Sequence, residues 1–280
     1  MPETVQAAEP LDLTFSDAEL EERREHITSF ISDTYEAAGG EAAVIAISGG
    51  VDSSLTSHLA VEALGVENVY GLVMPSEVNR TDNMSDAERV AGELLGIEYD
   101  LVEIESLVEA FCAANPNTEI GAEFTGTEQV AVGNLRARIR AVLNYFAANR
   151  RGGMVLGTGN RTEAAVGYFT KYGDGAVDCH PIGNLYKQQV RQLARHVGVP
   201  GDMAGKASTA GLWEDQTDEG ELGMDYDTLD SILALHVDGP LSVSATARTI
   251  GVDEESVERV QAMYAASEHK RQVPPAPEPL

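Results

Sequence analysis

The chain has 280 residues, 43% of them hydrophobic, and a formal net charge of −27. That length allows one large domain or two small ones with ample core, and no apolar run approaches the roughly 18 residues a membrane helix needs. The acidic balance argues against general nucleic-acid binding, which wants a basic surface.

The N-terminal stretch MPETVQAAEPLDLTFSD is acidic and lacks an apolar core, so no secretory signal is expected. Cys112 and Cys179 stand far apart without metal-ligand or redox spacing, which points to a reducing, cytoplasmic setting. Arginines number 15 and lysines only four, at 171, 187, 206 and 270. Regular apolar periodicity opposes disorder, so the charge reads as a solvated acidic shell of the kind suited to high salt. A halophilic origin is the expectation. The segment Arg136–Arg195 is the exception, with ten Lys/Arg against three Asp/Glu. Such an island favours a polyanion; a basic dimer or RNA-binding face is the alternative.

In chain order, residues 1–16 read as a mobile leader. Residues 17–38 read as a helix with Leu20, Ile27, Ile31 and Tyr35 on one face, ended by Gly39-Gly40. A β-branched strand over 44–47 meets Ser48-Gly49-Gly50, and Asp52, Ser53 and Ser54 open a second helix through Leu55, Leu59, Val61 and Leu64. Strands follow at 68–74, 98–104 and 153–156, with helices at 82–95, 106–114, 130–149 and 187–197. Strands alternating with helices predict an α/β fold: a doubly wound, Rossmann-like parallel sheet flanked by helices, with a helical C-terminal extension. The turns at 48–50 and 157–159 both follow strand ends, where such sheets bind ligands. Residues 205–223 form a long loop with a lone Trp213, which could stack on a ring or fill core. Helices are expected at 226–236, 242–250 and 254–267, then a flexible Pro-rich tail from 273. The whole chain is expected to form one domain.

The turn SGGVDSS combines strand, tight glycine corner and helix N-terminus. Helix N-termini present unpaired N–H groups and partial positive charge, and glycines let a phosphate approach the backbone. An ordinary capped corner is the bland alternative. No Lys follows these glycines as in a Walker A loop, and no G-x-G-x-x-G is present. The turn resembles the pyrophosphate-binding loop of the ATP pyrophosphatases.

Four further blocks make the resemblance specific: 133–140 (GNLRARIR), 157–191 with FTKYGDGAVD inside it, 208–223 (STAGLWEDQTDEGELG) and 268–272 (EHKRQ). Together they closely resemble the NAD synthetase family over nearly the whole chain. The resemblance implies a ligase that amidates nicotinic acid adenine dinucleotide (deamido-NAD) to NAD with ATP and ammonia through an acyl-adenylate, releasing AMP and pyrophosphate. It implies ATP contacts at Ala46, Ile47, Ser48, Gly49, Gly50, Val51, Asp52, Ser53, Thr158, Lys187 and Thr209. Mg²⁺ would sit on Asp52 and Glu163, and Lys187 would join them as a catalytic group. Contacts to the dinucleotide fall on Lys171, Asp178, His269 and Lys270, and on Arg140 or Arg138. A homodimer built on the 130–149 helix is also implied.

The residues have plainer readings beside these. Glu163 could simply complement a helix dipole, and His269–Lys270 could be an exposed helix end. On the 130–149 helix an apolar stripe of Leu135, Ile139, Val142 and Phe146 leaves Arg138 half-buried, with Arg136 and Arg140 four apart on a more exposed face. No fused amidase is expected, so free ammonia, or ammonia from a separate subunit, is the nitrogen source. If the acidic shell excludes lysine, each survivor has a local task, and Lys206 is expected to close over ATP phosphates. A tRNA-thiolating or GMP-forming relative and a non-catalytic nucleotide-binding regulator are the competing readings. Missing C-x-x-C pairs, the FTKYGDG block, and the intact Asp52, Glu163, Lys171 and Lys187 weigh against them.

Overall fold

The computed structural model describes residues 10–75, 86–115, 126–209 and 217–277. Strands β1 (Ala43–Ala46), β2 (Val69–Val73), β3 (Glu98–Leu101) and β4 (Met154–Leu156) form one sheet in the order β3-β2-β1-β4, every pairing parallel. Val44, Ile45, Val155 and Leu156 are buried on both sides, as a helix-covered parallel sheet requires. A parallel bridge between Leu156 and Cys179 extends the sheet beyond β4. The chain therefore leaves β1 in opposite directions to reach β2 and β4. That places the switch point between β1 and β4, with the turns at 48–50 and 157–159 flanking it.

One face of the sheet is covered by the helices Asp17–Ala38, Val51–Leu64 and Lys187–His196. The first starts with a Ser16/Glu19 capping box, ends at a left-handed Gly39, and buries Leu20, Ile27 and Ile31 as its periodicity predicts. Leu55 and Leu59 of the second are fully buried, worth about 1.5–3 kcal/mol each. The helix Thr127–Arg151 covers the other face. A separate apolar cluster, built on Leu222, Tyr226, Leu229, Ile232, Val257 and Val260, joins the C-terminal helices to Ala165 and Val166.

Three expectations need correction. Part of the leader is tied down: Leu11 N–H donates to Ser231 Oγ at 2.8 Å, and Phe15 exchanges hydrogen bonds with Gln192 at 2.7 and 2.6 Å. The helix Thr127–Arg151 buries only part of its expected apolar stripe, with Leu135 and Ile139 half-buried against the core. Ala148 joins Val44, Tyr70 and Val155 in the core against the sheet, with Ile139 and Leu143 packed beside it, and Gly133, Ala137 and Ala141 are also buried. Val142 and Phe146 are left 69% and 59% exposed, Arg138 faces solvent, and Arg140 turns inward. The helices expected over 82–95 and 226–236 carry π-helical turns at Arg89–Leu94 and Leu233–Val237. Residues 82–85 and 210–216, Trp213 among them, lie outside the described residues.

Candidate active site

The turn after β1 is braced from within. Ser53, 2% exposed, accepts from the Ser48 N–H at 3.2 Å and donates to the Gly50 carbonyl at 3.1 Å. Ser48 Oγ lies 3.0 Å from Ser53 Oγ and accepts from the Gly50 N–H at 3.3 Å. Gly49 takes φ +78°, a left-handed conformation that a side chain would strain. Gly50 caps the Val51–Leu64 helix without any side-chain hydrogen bond, so the first-turn N–H groups face outward as an anion-binding end. At the partner turn, a Cβ on Gly157 would stand 2.6 Å from His180 Nδ1, so only glycine lets the two segments close.

Between the turns lies a cavity of about 440 Å³. Ala46, Ile47, Ser48, Gly50, Val51, Asp52, Thr158, Glu163, Lys187 and Thr209 line it, as do Arg140 and Lys270. Gly49 and Ser53 shape the loop from behind. Lys171, Asp178, His269 and Arg138 stand outside the lining. Lys171 donates to the His269 carbonyl, and Arg138 donates to the Lys171 carbonyl at 3.3 Å. Asp178 serves β4, accepting from the Val155 N–H at 2.7 Å and from the Tyr145 hydroxyl at 3.2 Å. Burial and the Asp178 charge push Tyr145 up to about 12.

Lys187, 1% exposed, is the centre of the end beside the 48–50 turn. Its Nζ donates to Asp52 Oδ2 at 2.6 Å and to Glu163 Oε1 at 3.2 Å, and lies 5.1 Å from the Tyr226 ring centroid. Burial alone would lower the Lys187 pKa, but the Asp52 and Glu163 charges outweigh it and hold it raised and charged. Glu163 is pushed up to about 7, chiefly by burial, against the opposing pull of Lys187. Asn160 caps the Arg161–Val166 helix and closes the ring: its Oδ1 accepts from Glu163 N–H at 3.0 Å while its Nδ2 donates to Asp52 Oδ1 at 2.8 Å. Two hard carboxylates already share one cation here, facing the cavity. That donor set fits Mg²⁺, which takes one or two carboxylates and completes its shell with phosphate oxygens and water. Among the described residues no larger cluster of metal-ligating side chains occurs.

On the other side, Arg140 Nε donates to the Met74 carbonyl at 3.1 Å, and crowding by protein together with nearby Arg136 lowers its pKa to about 10. Lys270 donates to the carbonyls of Gly167 (2.7 Å) and Phe169 (2.8 Å), and burial lowers its pKa. Phe169, Thr170, Gly173 and Asp174 of the FTKYGDG block complete this wall. Tyr172 beside them has φ +62°, the one non-glycine with positive φ among the described residues, as strained turns at functional sites often do. Lys206 reaches the cavity and pairs with Asp86 at 2.8 Å.

The basic island is not one patch. Of its ten cations only Arg140 and Lys187 line the cavity; Arg136, Arg151 and Arg161 pair with Glu105, Glu98 and Asp238. Sequence reasoning missed Asn160, Thr162, Tyr168, Asp218, Tyr226 and Asp230. Asn160 was findable, since Asn followed by Glu three residues on is a capping-box signature.

A four-stranded parallel sheet with two glycine turns at its switch point, a lysine–carboxylate cluster and a cation-lined annex defines a nucleotide-binding α/β protein of the ATP pyrophosphatase fold. A sequence model of the NAD synthase family matches residues 24–274, and the chain belongs to that family. An NH(3)-dependent NAD(+) synthetase from Halobacterium salinarum, a halophilic archaeon, is 60% identical over 276 residues, 99% of either chain. Among solved structures, an NMN synthetase from Francisella tularensis is similar at a TM-score of 0.79 and 34% identity, covering 94% of this chain and 99% of that one. An NH3-dependent NAD synthetase from Campylobacter jejuni gives a TM-score of 0.74 at 28% identity, covering 92% and 99%.

Proposed function

We propose that the chain is an ammonia-dependent NAD synthetase: it adenylates the carboxylate of deamido-NAD with ATP and lets ammonia displace AMP. The observation that carries this is a single cavity with a phosphate-binding end and a cation-lined end. The substrate carboxylate attacks the α-phosphorus of ATP, the bond to the β-phosphate oxygen breaks, and pyrophosphate leaves with its electron pair. Ammonia then adds to the acyl carbon, AMP departs and the surplus proton is lost.

Nothing in this sequence needs a covalent enzyme nucleophile. Positioning and charge stabilisation suffice. The N–H groups of the 48–52 turn receive the leaving phosphates, helped by Lys187, Thr158 and Thr209. Arg140 and Lys270 receive the anionic dinucleotide, with the Phe169 side chain as a wall for a planar ring. Mg²⁺ held by Asp52 and Glu163 would neutralise charge on the triphosphate. To Lys171, Asp178, His269 and Arg138 we assign whatever part of the dinucleotide reaches beyond the cavity.

The exposed Val142 and Phe146, with Phe111 (56% exposed) on the neighbouring Glu105–Ala114 helix, support a homodimer through this face. Two free thiols, Cys112 and Cys179, support a cytoplasmic setting.

The test is incubation with ATP, Mg²⁺, NH₄⁺ and deamido-NAD in molar KCl, with NAD and AMP measured. Equal formation of both is expected. Nicotinic acid mononucleotide in a parallel incubation separates dinucleotide from mononucleotide use, and AMP formation independent of either acceptor would overturn the reading.

A further inference from the structure

We propose that Asp230 is a positioning residue for the reaction centre, holding the helix that carries Glu163 and the helix that carries Lys187 in register through Thr162. The inference rests on the amide-forming reading above.

Asp230 lies on the Tyr226–Ile232 helix and is fully buried. Its oxygens serve different elements: Oδ1 accepts from Thr162 Oγ1 at 2.5 Å and Oδ2 accepts from the Gln188 N–H at 2.9 Å. Thr162 Oγ1 in turn accepts from the Lys187 N–H at 3.0 Å. Lys187 and Gln188 are the first two residues of the Lys187–His196 helix, whose leading N–H groups have no partner within the helix. Thr162 immediately precedes Glu163 on the Arg161–Val166 helix. One carboxylate therefore fixes both residues that flank the Asp52 charge.

A buried carboxylate that served only packing would be costly, and an apolar residue of the same shape would serve as well. Asp230 touches neither the cavity nor Lys187 Nζ, so it acts through backbone placement. Lys187 Nζ is 2.6 and 3.2 Å from its two carboxylates. A shift of about 1 Å at the helix start would break one contact and can cost about 10²-fold in rate.

The test uses the full chain carrying Asp230→Asn, Thr162→Val, Thr162→Ser or the pair Asp230→Asn/Thr162→Val, each assayed beside wild type. Asp230→Asn has one acceptor oxygen for two donors. Asp230→Asn and Thr162→Val should each lower kcat by about 10²-fold with both KM values within about threefold. Thr162→Ser should retain kcat within about threefold, and the double variant should lose little more than the stronger single one, as members of one chain do. A crystal structure of Asp230→Asn should show Lys187 Nζ more than about 3.5 Å from Asp52 or Glu163. The proposal is overturned by a folded Asp230→Asn with kcat within about twofold of wild type, by additive losses, or by unchanged Lys187 geometry. If Asp230→Asn does not fold, Thr162→Val against Thr162→Ser decides. A wild type that forms no NAD defeats the amide-forming reading, and the Lys187 geometry then decides this one alone.

Discussion

The two ends of the cavity handle charge in opposite ways. At the phosphate end Lys187 is locked between Asp52 and Glu163, with Asn160 closing the ring. At the acceptor end Arg140 and Lys270 are oriented by neutral carbonyls, of Met74 and of Gly167 and Phe169. A carboxylate in contact neutralises a cation; here the carbonyls aim Arg140 and Lys270, while Asp174 attracts both without a salt bridge to either. The first end is assembled before anything binds, while the second holds desolvated positive charge that an anion would satisfy.

The largest effect expected from breaking this contrast is Lys187→Met. It leaves two partly buried carboxylates without their cation. We expect kcat to fall by about 10²–10³-fold and stability by about 3 kcal/mol, read by NAD formation and urea unfolding. Adding Asp52→Asn should restore part of the stability and none of the activity. Arg140→Ala breaks the other end. Removing a charge-assisted contact should raise the KM for deamido-NAD by about 10–100-fold with ATP KM unchanged. Stability should change little, because relief of the Arg140 desolvation offsets the lost attraction to Asp174. An equal rise in both KM values would erase the distinction between the ends.

A buried carboxylate without a cation sharpens it. Burial raises Asp230 from 3.8 to about 6, opposed by its bonds to Thr162 and Gln188. The folded state thus holds the proton more tightly than the unfolded chain. Its contribution to stability is greatest below about pH 4, falls as pH rises towards 6, and is flat above. Urea unfolding in molar KCl should show up to ~3 kcal/mol of this slope in wild type and none of it in Asp230→Asn. The smallest effect belongs to Lys206→Ala: ATP KM should rise by several-fold, and loss of the part-exposed pair with Asp86 should change stability by less than about 1 kcal/mol. Unchanged ATP KM would remove Lys206 from the phosphate end.

Most of the sheet and its phosphate turn were legible, because β-branched runs ending in glycine leave few alternatives. The helix Thr127–Arg151 was legible in extent and misread in orientation. Of the stripe its periodicity gives, only Leu135 and Ile139 reach the core, while Val142 and Phe146 turn outward and Arg140 turns inward to the cavity. Asp52 was read from the turn itself, and Glu163 and Lys187 through the family blocks. The groups that hold them were not, since Thr162 and Asp230 meet across 68 positions and carry no local pattern. The basic island shows the same limit, as neighbours in sequence scattered to separate ion pairs.

The scarcity of lysine has a practical side. Lys187, Lys206 and Lys270 line the cavity, and Lys171 stands beside it on the His269 carbonyl. An amine-directed reagent, indiscriminate on most proteins, therefore becomes an affinity label here. Among lysines, its targets are three on the walls of one pocket and a fourth beside it. Modification of Lys270 should track loss of affinity for the dinucleotide, modification of Lys206 should raise only the ATP KM, and bound nucleotide should shield Lys206 more than Lys270.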